Sequence, residues 1–204
     1  MKRVLMAAAA ASLFASPAAF AADSQTTNIT IEGTVANTCV MGTPGFLGTN
    51  ASQTALAGNA GTSAVEITSL AVSADDAALA AVEFTLTYSD SYCNYAHSVD
   101  LNSANGGLVD ATPIDVVAGS GDFVRRIGYD STLTWADGAA IVSDVDPTTS
   151  TAQATGTAID GTAAPVSGAF RGDLVLGVVI ASNPNPVVAG TYNETLTVTM
   201  GPTA

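Results

Sequence analysis

The chain has 204 residues, of which 18 are acidic, five are Lys or Arg and one is His, for a formal charge of −13 at pH 7. Such a surface repels polyanions and anionic lipid, so neither nucleic acid nor a membrane surface is an expected partner. Hydrophobic residues make up 48% of the chain, which is too apolar for a disordered protein.

At the N-terminus, Lys2 and Arg3 precede an alanine-rich apolar run from Val4 to Phe14, and Ala19-Phe20-Ala21 is a small-x-small cleavage site. Residues 1–21 therefore read as a bacterial-type secretory signal, cut before Ala22. The run is short for a membrane span, and Ser16 and Pro17 interrupt it. No later stretch reaches spanning length without polar breaks, so no membrane insertion is expected. Cleavage removes two of the five basic residues and leaves Arg125, Arg126 and Arg171 against all 18 acids. The remaining length suits one β-sandwich domain.

Just past the cleavage site, Ile29, Ile31, Gly33 and Val35 alternate with Asn28, Thr30, Glu32 and Thr34. An extended chain of this period has one apolar face and needs a sheet to bury it. It is either the chain's own first strand or a strand lent from the terminus to another molecule. In the second case assembly is the function.

Cys39 and Cys93 are the only cysteines. An even count in an exported chain predicts one intramolecular disulfide. The alternatives are two free thiols or part of a metal site. With His97 as the one histidine, a tetrahedral site would stay incomplete, and no metal or other cofactor is expected.

Further along, Asp75 to Ala81 resembles an N-capped helical turn. The other periodic segments are β-like: Val65–Ile67, Val82–Tyr88, His97–Leu101, Phe123–Ile127 and Leu133–Trp135. Leu174–Ile180 is nearly continuous apolar sequence, which suits a strand buried on both faces or an interior sandwich strand. In the last segment Tyr192, Leu196, Val198 and Met200 share one parity, and Thr191, Thr195, Thr197 and Thr199 share the other. Asn105-Gly106-Gly107, Asp137-Gly138, Asp160-Gly161 and Asn183-Pro184-Asn185-Pro186 read as turns between strands. The Thr/Ala/Gly-rich tracts at 48–64 and 146–168 read as long surface loops. Many short strands with turn residues between them predict an all-β sandwich.

The segment Ile29-Thr30-Ile31-Glu32-Gly33-Thr34-Val35 followed by Cys39 resembles the N-terminal donor strand of chaperone–usher pilins. The ending Gly190-Thr191-Tyr192-Asn193-Glu194-Thr195-Leu196-Thr197-Val198-Thr199 is similar to that of the spore coat U-like, archaic-type branch of that family. Weaker echoes are Phe46-Leu47-Gly48, Arg126-Ile127, and Gly128-Tyr129 ahead of Leu133-Thr134-Trp135. The sequence departs from the family in Gly201-Pro202-Thr203-Ala204, which follow the terminal strand, and in its two long tracts.

The resemblance implies an immunoglobulin-like sandwich that is incomplete and is completed by donor-strand exchange. Residues 22–35 would be the donor strand and residues 36–204 the pilin-like domain. Partners would be other copies of the chain, a periplasmic chaperone and an outer-membrane usher. The product would be a surface fimbrium acting in adhesion and biofilm formation. Tyr192, Leu196, Val198 and Met200 would form the C-terminal strand at the groove edge.

Catalysis is not expected. His97 and Ser98 are neighbours in an alternating segment and point to opposite faces, so they make no catalytic pair. Asp144 and Asp146 lack the Gly and bidentate Glu of a calcium loop. Arg171-Gly172-Asp173 spells an adhesion tripeptide that arises readily by chance. Asn28-Ile29-Thr30 and Asn193-Glu194-Thr195 match glycosylation sequons, which carry little weight in a bacterial chain. The other readings are a carbohydrate-binding module using Trp135 and Tyr129, or a non-polymerising surface or matrix sandwich.

Overall fold

The computed structural model describes residues 27–48, 53–56, 64–73, 76–117, 121–136, 142–152 and 154–202. The signal and its cleavage site, Asp75 and Asp137-Gly138 lie outside these residues. The described part of residues 1–35 and the compact body from Ala36 onward form separate units.

In chain order the strands are β1 (Cys39–Val40), β2 (Thr43–Gly48), β3 (Gln53–Leu56), β4 (Ala64–Ile67), β5 (Ala78–Leu79) and β6 (Val82–Cys93). They continue with β7 (His97–Ser103), β8 (Leu108–Asp110), β9 (Arg126–Ile127), β10 (Asp130–Ala136), β11 (Val142–Val145) and β12 (Ile159–Asp160). The last are β13 (Ala164–Val166), β14 (Phe170–Ile180), β15 (Asn183–Pro186), β16 (Tyr192–Asn193) and β17 (Leu196–Pro202). Among the described residues the fold is all-β.

One sheet runs β1-β6-β14-β10-β11, with β2 joining β1 on the outer edge of β6. In the second, β7 is central, with β17 on one edge and β12 and β13 on the other. All these pairings are antiparallel. The two sheets enclose one apolar core, the arrangement of a β-sandwich. Leu86, Leu133, Leu174, Leu176 and Ile180 come from the larger sheet, and Val99 and Leu101 from β7. The His97 ring on β7 stands edge-on to Trp135 on β10 with centroids 5.2 Å apart, and Trp135 meets Phe170 at the same separation. These edge-to-face contacts tie the sheets together at one end.

The alternation that predicts the strands is what the core uses. On β7 every second residue from His97 to Ser103 is buried. On β14 Leu174, Leu176, Val178 and Ile180 are buried, whereas Val179 is 41% exposed. This strand therefore has one buried face; of the two readings of its apolar run, the interior sandwich strand is the one observed.

Cys39 and Cys93 face each other across β1 and β6 and are disulfide-bonded, with Cα atoms 4.1 Å apart. The bond spans a sequence separation of 54 residues, a closure worth roughly 4 kcal/mol on the chain-entropy account.

Four expectations are corrected. The helical turn expected at 75–81 is absent from its described residues, 76–81, which lead instead into β5. Asp76 N–H is bonded to Ser73 Oγ at 3.0 Å, and Asp76 Oδ1 accepts from Ala78 N–H at 3.0 Å. These short side chains satisfy the backbone locally without a helix. Asn183–Pro186 is not only a turn; it forms β15, which pairs with β5 through Asn183 and Pro186 around an irregularity. A proline-containing strand is tolerated there because few ladder donors are needed. The two tracts taken as loops contain β3, the start of β4, β12 and β13. Finally, the C-terminal segment breaks at Glu194-Thr195, so Tyr192 lies on β16, paired with β8, and not on the strand that carries Leu196, Val198 and Met200.

Candidate functional site

The inner faces of the two sheets do not close on each other everywhere. A groove of about 670 Å³ is floored by Phe84, Leu86 and Tyr88 of β6 and by Leu176, Val178 and Ile180 of β14. One wall is β17 with Leu196 and Val198; Val65, Ile67 and Leu70 supply further apolar lining. Thr197, of opposite parity, also lines the groove, so the backbone of β17 itself borders it. That strand pairs with β7 along one edge, and among the described residues no strand pairs with the other. Leu196, Val198, Met200, Phe84, Val65 and Ile67 are accordingly only partly buried although they pack on the core. A trough with an apolar floor and a polar rim of Tyr192, Asn193, Glu194 and Thr195, beside an unpaired strand edge, is a surface that a further strand would cover.

The register of β17 puts Leu196 opposite Ser103, Val198 opposite Leu101 and Met200 opposite Val99. Met200 packs against the core, while Tyr192 borders the groove from β16.

Glu194 organises the end of the groove. Its Oε2 accepts from Ser103 Oγ at 2.8 Å, Gly107 N–H at 2.9 Å and the Tyr129 hydroxyl at 3.3 Å. Its Oε1 accepts from Asn105 N–H at 3.1 Å and Thr195 N–H at 2.6 Å. One carboxylate thus joins the β7–β8 turn to the start of β17. That turn has Gly106 at φ 61° and Gly107 at φ 128°, a left-handed pair that side chains disfavour. Burial pushes the Tyr129 phenol well above its ordinary pKa, and the nearby Glu194 charge adds to the rise. The acid of the Gly-x-Tyr-x-acid ending was legible as a motif position, but four of its five donors, Ser103, Asn105, Gly107 and Tyr129, were not, because they lie far away in sequence.

Tyr192 donates its hydroxyl to the Val188 carbonyl at 2.8 Å. Its pKa is raised by burial first and by Asp110 second, with Arg125 opposing. A Cβ on Gly190 would run into the Asp110 carboxylate, which explains a glycine there.

The N-terminal segment, taken by itself, has no strand among its described residues. Ile29, Ile31 and Val35 are 81%, 91% and 85% exposed. A Cβ on Gly33 would meet nothing within 4 Å.

The remaining candidates have ordinary structural places. His97 is fully buried and donates Nδ1–H to the Tyr95 carbonyl at 2.8 Å. Trp135 and Tyr129 are core residues, so neither offers an exposed aromatic face to a sugar. Arg171 forms an ion pair with Asp90 at 3.2 Å, and Asp173 accepts from Asp90 N–H at 3.1 Å, so both charged ends of the tripeptide are engaged at one strand irregularity. Asp144 and Asp146 belong to no group of three or more potential metal ligands among the described residues. Comparison of the chain with protein-family models, with curated proteins and with solved structures finds no match to any of them.

Proposed function

We propose that this chain is an exported structural subunit of a surface fibre of the chaperone–usher type, polymerising by donor-strand exchange. The observation that carries the reading is the pairing of two features in one chain. The body has a groove with an apolar floor and a partly polar rim along the unpaired edge of β17. The N-terminal segment carries an alternating apolar face and, among its described residues, no strand. Inserting that face into the groove of another copy would bury Ile29, Ile31 and Val35, worth roughly 5–9 kcal/mol before any ladder hydrogen bonds form. Until then a chaperone strand would have to cover the groove, since open apolar edges aggregate.

One further feature supports an immunoglobulin-like sandwich. The Tyr192 hydroxyl bonded to the Val188 carbonyl has the form of a tyrosine corner. On this reading the mature chain acts at the cell surface in adhesion and biofilm formation, with a periplasmic chaperone and an outer-membrane usher as assembly partners.

The test is Gly33→Asn. In the unassembled chain the position is open, so the monomer has room for the larger side chain. A groove that is narrow opposite Gly33 would not, so the variant should form the chaperone complex at normal yield but fail to form SDS-resistant ladders. Ladders as abundant as wild type would remove the donor-strand reading.

A further inference from the structure

We propose that Asn94 is a positioning residue that clamps the root of the N-terminal segment and so sets the stiffness of the joint between successive subunits. The inference rests on the assembly reading above, because only in a fibre is that root a joint.

The geometry is local and specific. Strand β1 is two residues long, and its ladder with β6 ends at the Cys39–Cys93 pair. Beyond that pair the main chain of β6 turns away through Asn94, Tyr95 and Ala96 into β7. Asn94 nevertheless extends the pairing. Its main-chain N–H donates to the Thr38 carbonyl at 3.0 Å. Its side-chain Oδ1 accepts from Thr38 N–H at 2.8 Å, and its Nδ2 donates to the Ala36 carbonyl at 2.9 Å. The carboxamide has the donor and acceptor of a peptide group, and here it stands in for the strand that has left. The last backbone atom it holds belongs to Ala36, where the compact body begins. Without this amide, one of the three bonds from Asn94 to residues 36–38 would remain, and the linker leaving the body would lengthen.

The clamp is exposed, so it should contribute little to the stability of the body. The disulfide next to it holds Cys39 whatever Asn94 does. This separates the joint from the fold and makes the inference testable.

The experiment compares the full-length wild-type chain with Asn94→Ala and Asn94→Asp, expressed with their assembly partners. Aspartate keeps the acceptor for Thr38 N–H and loses the donor to Ala36. Fibre persistence length is read by electron microscopy, the thermal midpoint by calorimetry, and Thr38 amide exchange by hydrogen-exchange mass spectrometry. For Asn94→Ala we expect Thr38 exchange roughly 2- to 10-fold faster, shorter persistence length and an unchanged midpoint. Asn94→Asp should retain Thr38 protection yet give fibres of intermediate flexibility.

Equal persistence length in all three chains overturns the proposal, as does loss of both variants through misfolding, which would make Asn94 a folding residue. If the wild-type chain forms no fibres, the assembly reading fails and the joint with it. Unchanged Thr38 exchange in Asn94→Ala would instead remove the clamp alone, leaving assembly standing.

Discussion

Ser103 donates its hydroxyl to Glu194 Oε2 at 2.8 Å across a sequence separation of 91 residues. That bond and its neighbours fasten the last strand of the chain to the turn after β7. Replacing Glu194 with Ala would leave the donors of Ser103, Asn105, Gly107 and Tyr129 without this acceptor. We expect a loss of about 2–3 kcal/mol, and about 1 kcal/mol for Glu194→Gln, which keeps one acceptor oxygen. Denaturant unfolding of the purified chain measures both; equal, negligible losses would show that the carboxylate is not the fastener.

Val198 and Thr197 are adjacent on β17 yet face opposite ways. Val198 lines the groove opposite the fully buried Leu101, whereas the Thr197 side chain is exposed. Val198→Asp places a charge among apolar neighbours at a cost of roughly 3 kcal/mol or more, and the subunit should cease to accumulate. Thr197→Asp should accumulate normally. Immunoblots of the two variants compare them, and similar levels would contradict this orientation of the strand.

The disulfide makes its own prediction. Non-reducing mass spectrometry of the purified chain should find Cys39 and Cys93 in one internal bond, with no thiol open to alkylation. Changing both to Ser should cost about 4 kcal/mol on the loop-closure account. A cost near zero would mean that the unfolded chain is already constrained there by other means.

Asp146 gives a pH dependence whose sign can be worked out. Its pKa is raised above the ordinary carboxylate value by desolvation first, then by the charges of Asp130 and Asp144. The folded state therefore holds a proton that the unfolded state has already lost. Between the ordinary value and the raised one, this group's contribution to stability falls as pH rises, and protonation on acidification restores it. Asp146→Asn should remove that slope and raise stability near pH 7. A thermal-midpoint series across the acidic range reads the difference, and an unchanged slope would exclude Asp146 as its source.

Much of the sandwich was legible from the sequence because its strands keep period two: β6, β7, β10, β14 and β17 lie where alternation or apolar runs put them. The failures have physical causes. Asp76 can cap a helix or close a turn with the same atoms, and the pairing of β5 with β15 decided for the turn. Tyr192 shares the parity of Leu196 and Val198, but the Glu194 hub interrupts the strand between them, and no local pattern records that break. The candidate groove was only half readable. Its wall on β17 announced itself, whereas its floor is made of β6 and β14 side chains that lie beside an unfilled space, a property that no single segment displays. Asn94 followed Cys93 in the sequence without any pattern to mark it.

A fibre of such subunits under tension would be pulled at Ala36, a few residues before Cys39. On hydrogen bonds alone, β1 would peel from β6 one bond at a time, because two residues offer almost no shear resistance. The covalent bridge removes that weak step. Load entering at the N-terminal root passes directly into β6, the strand bonded along its length to β14, and is shared by the widest sheet of the body.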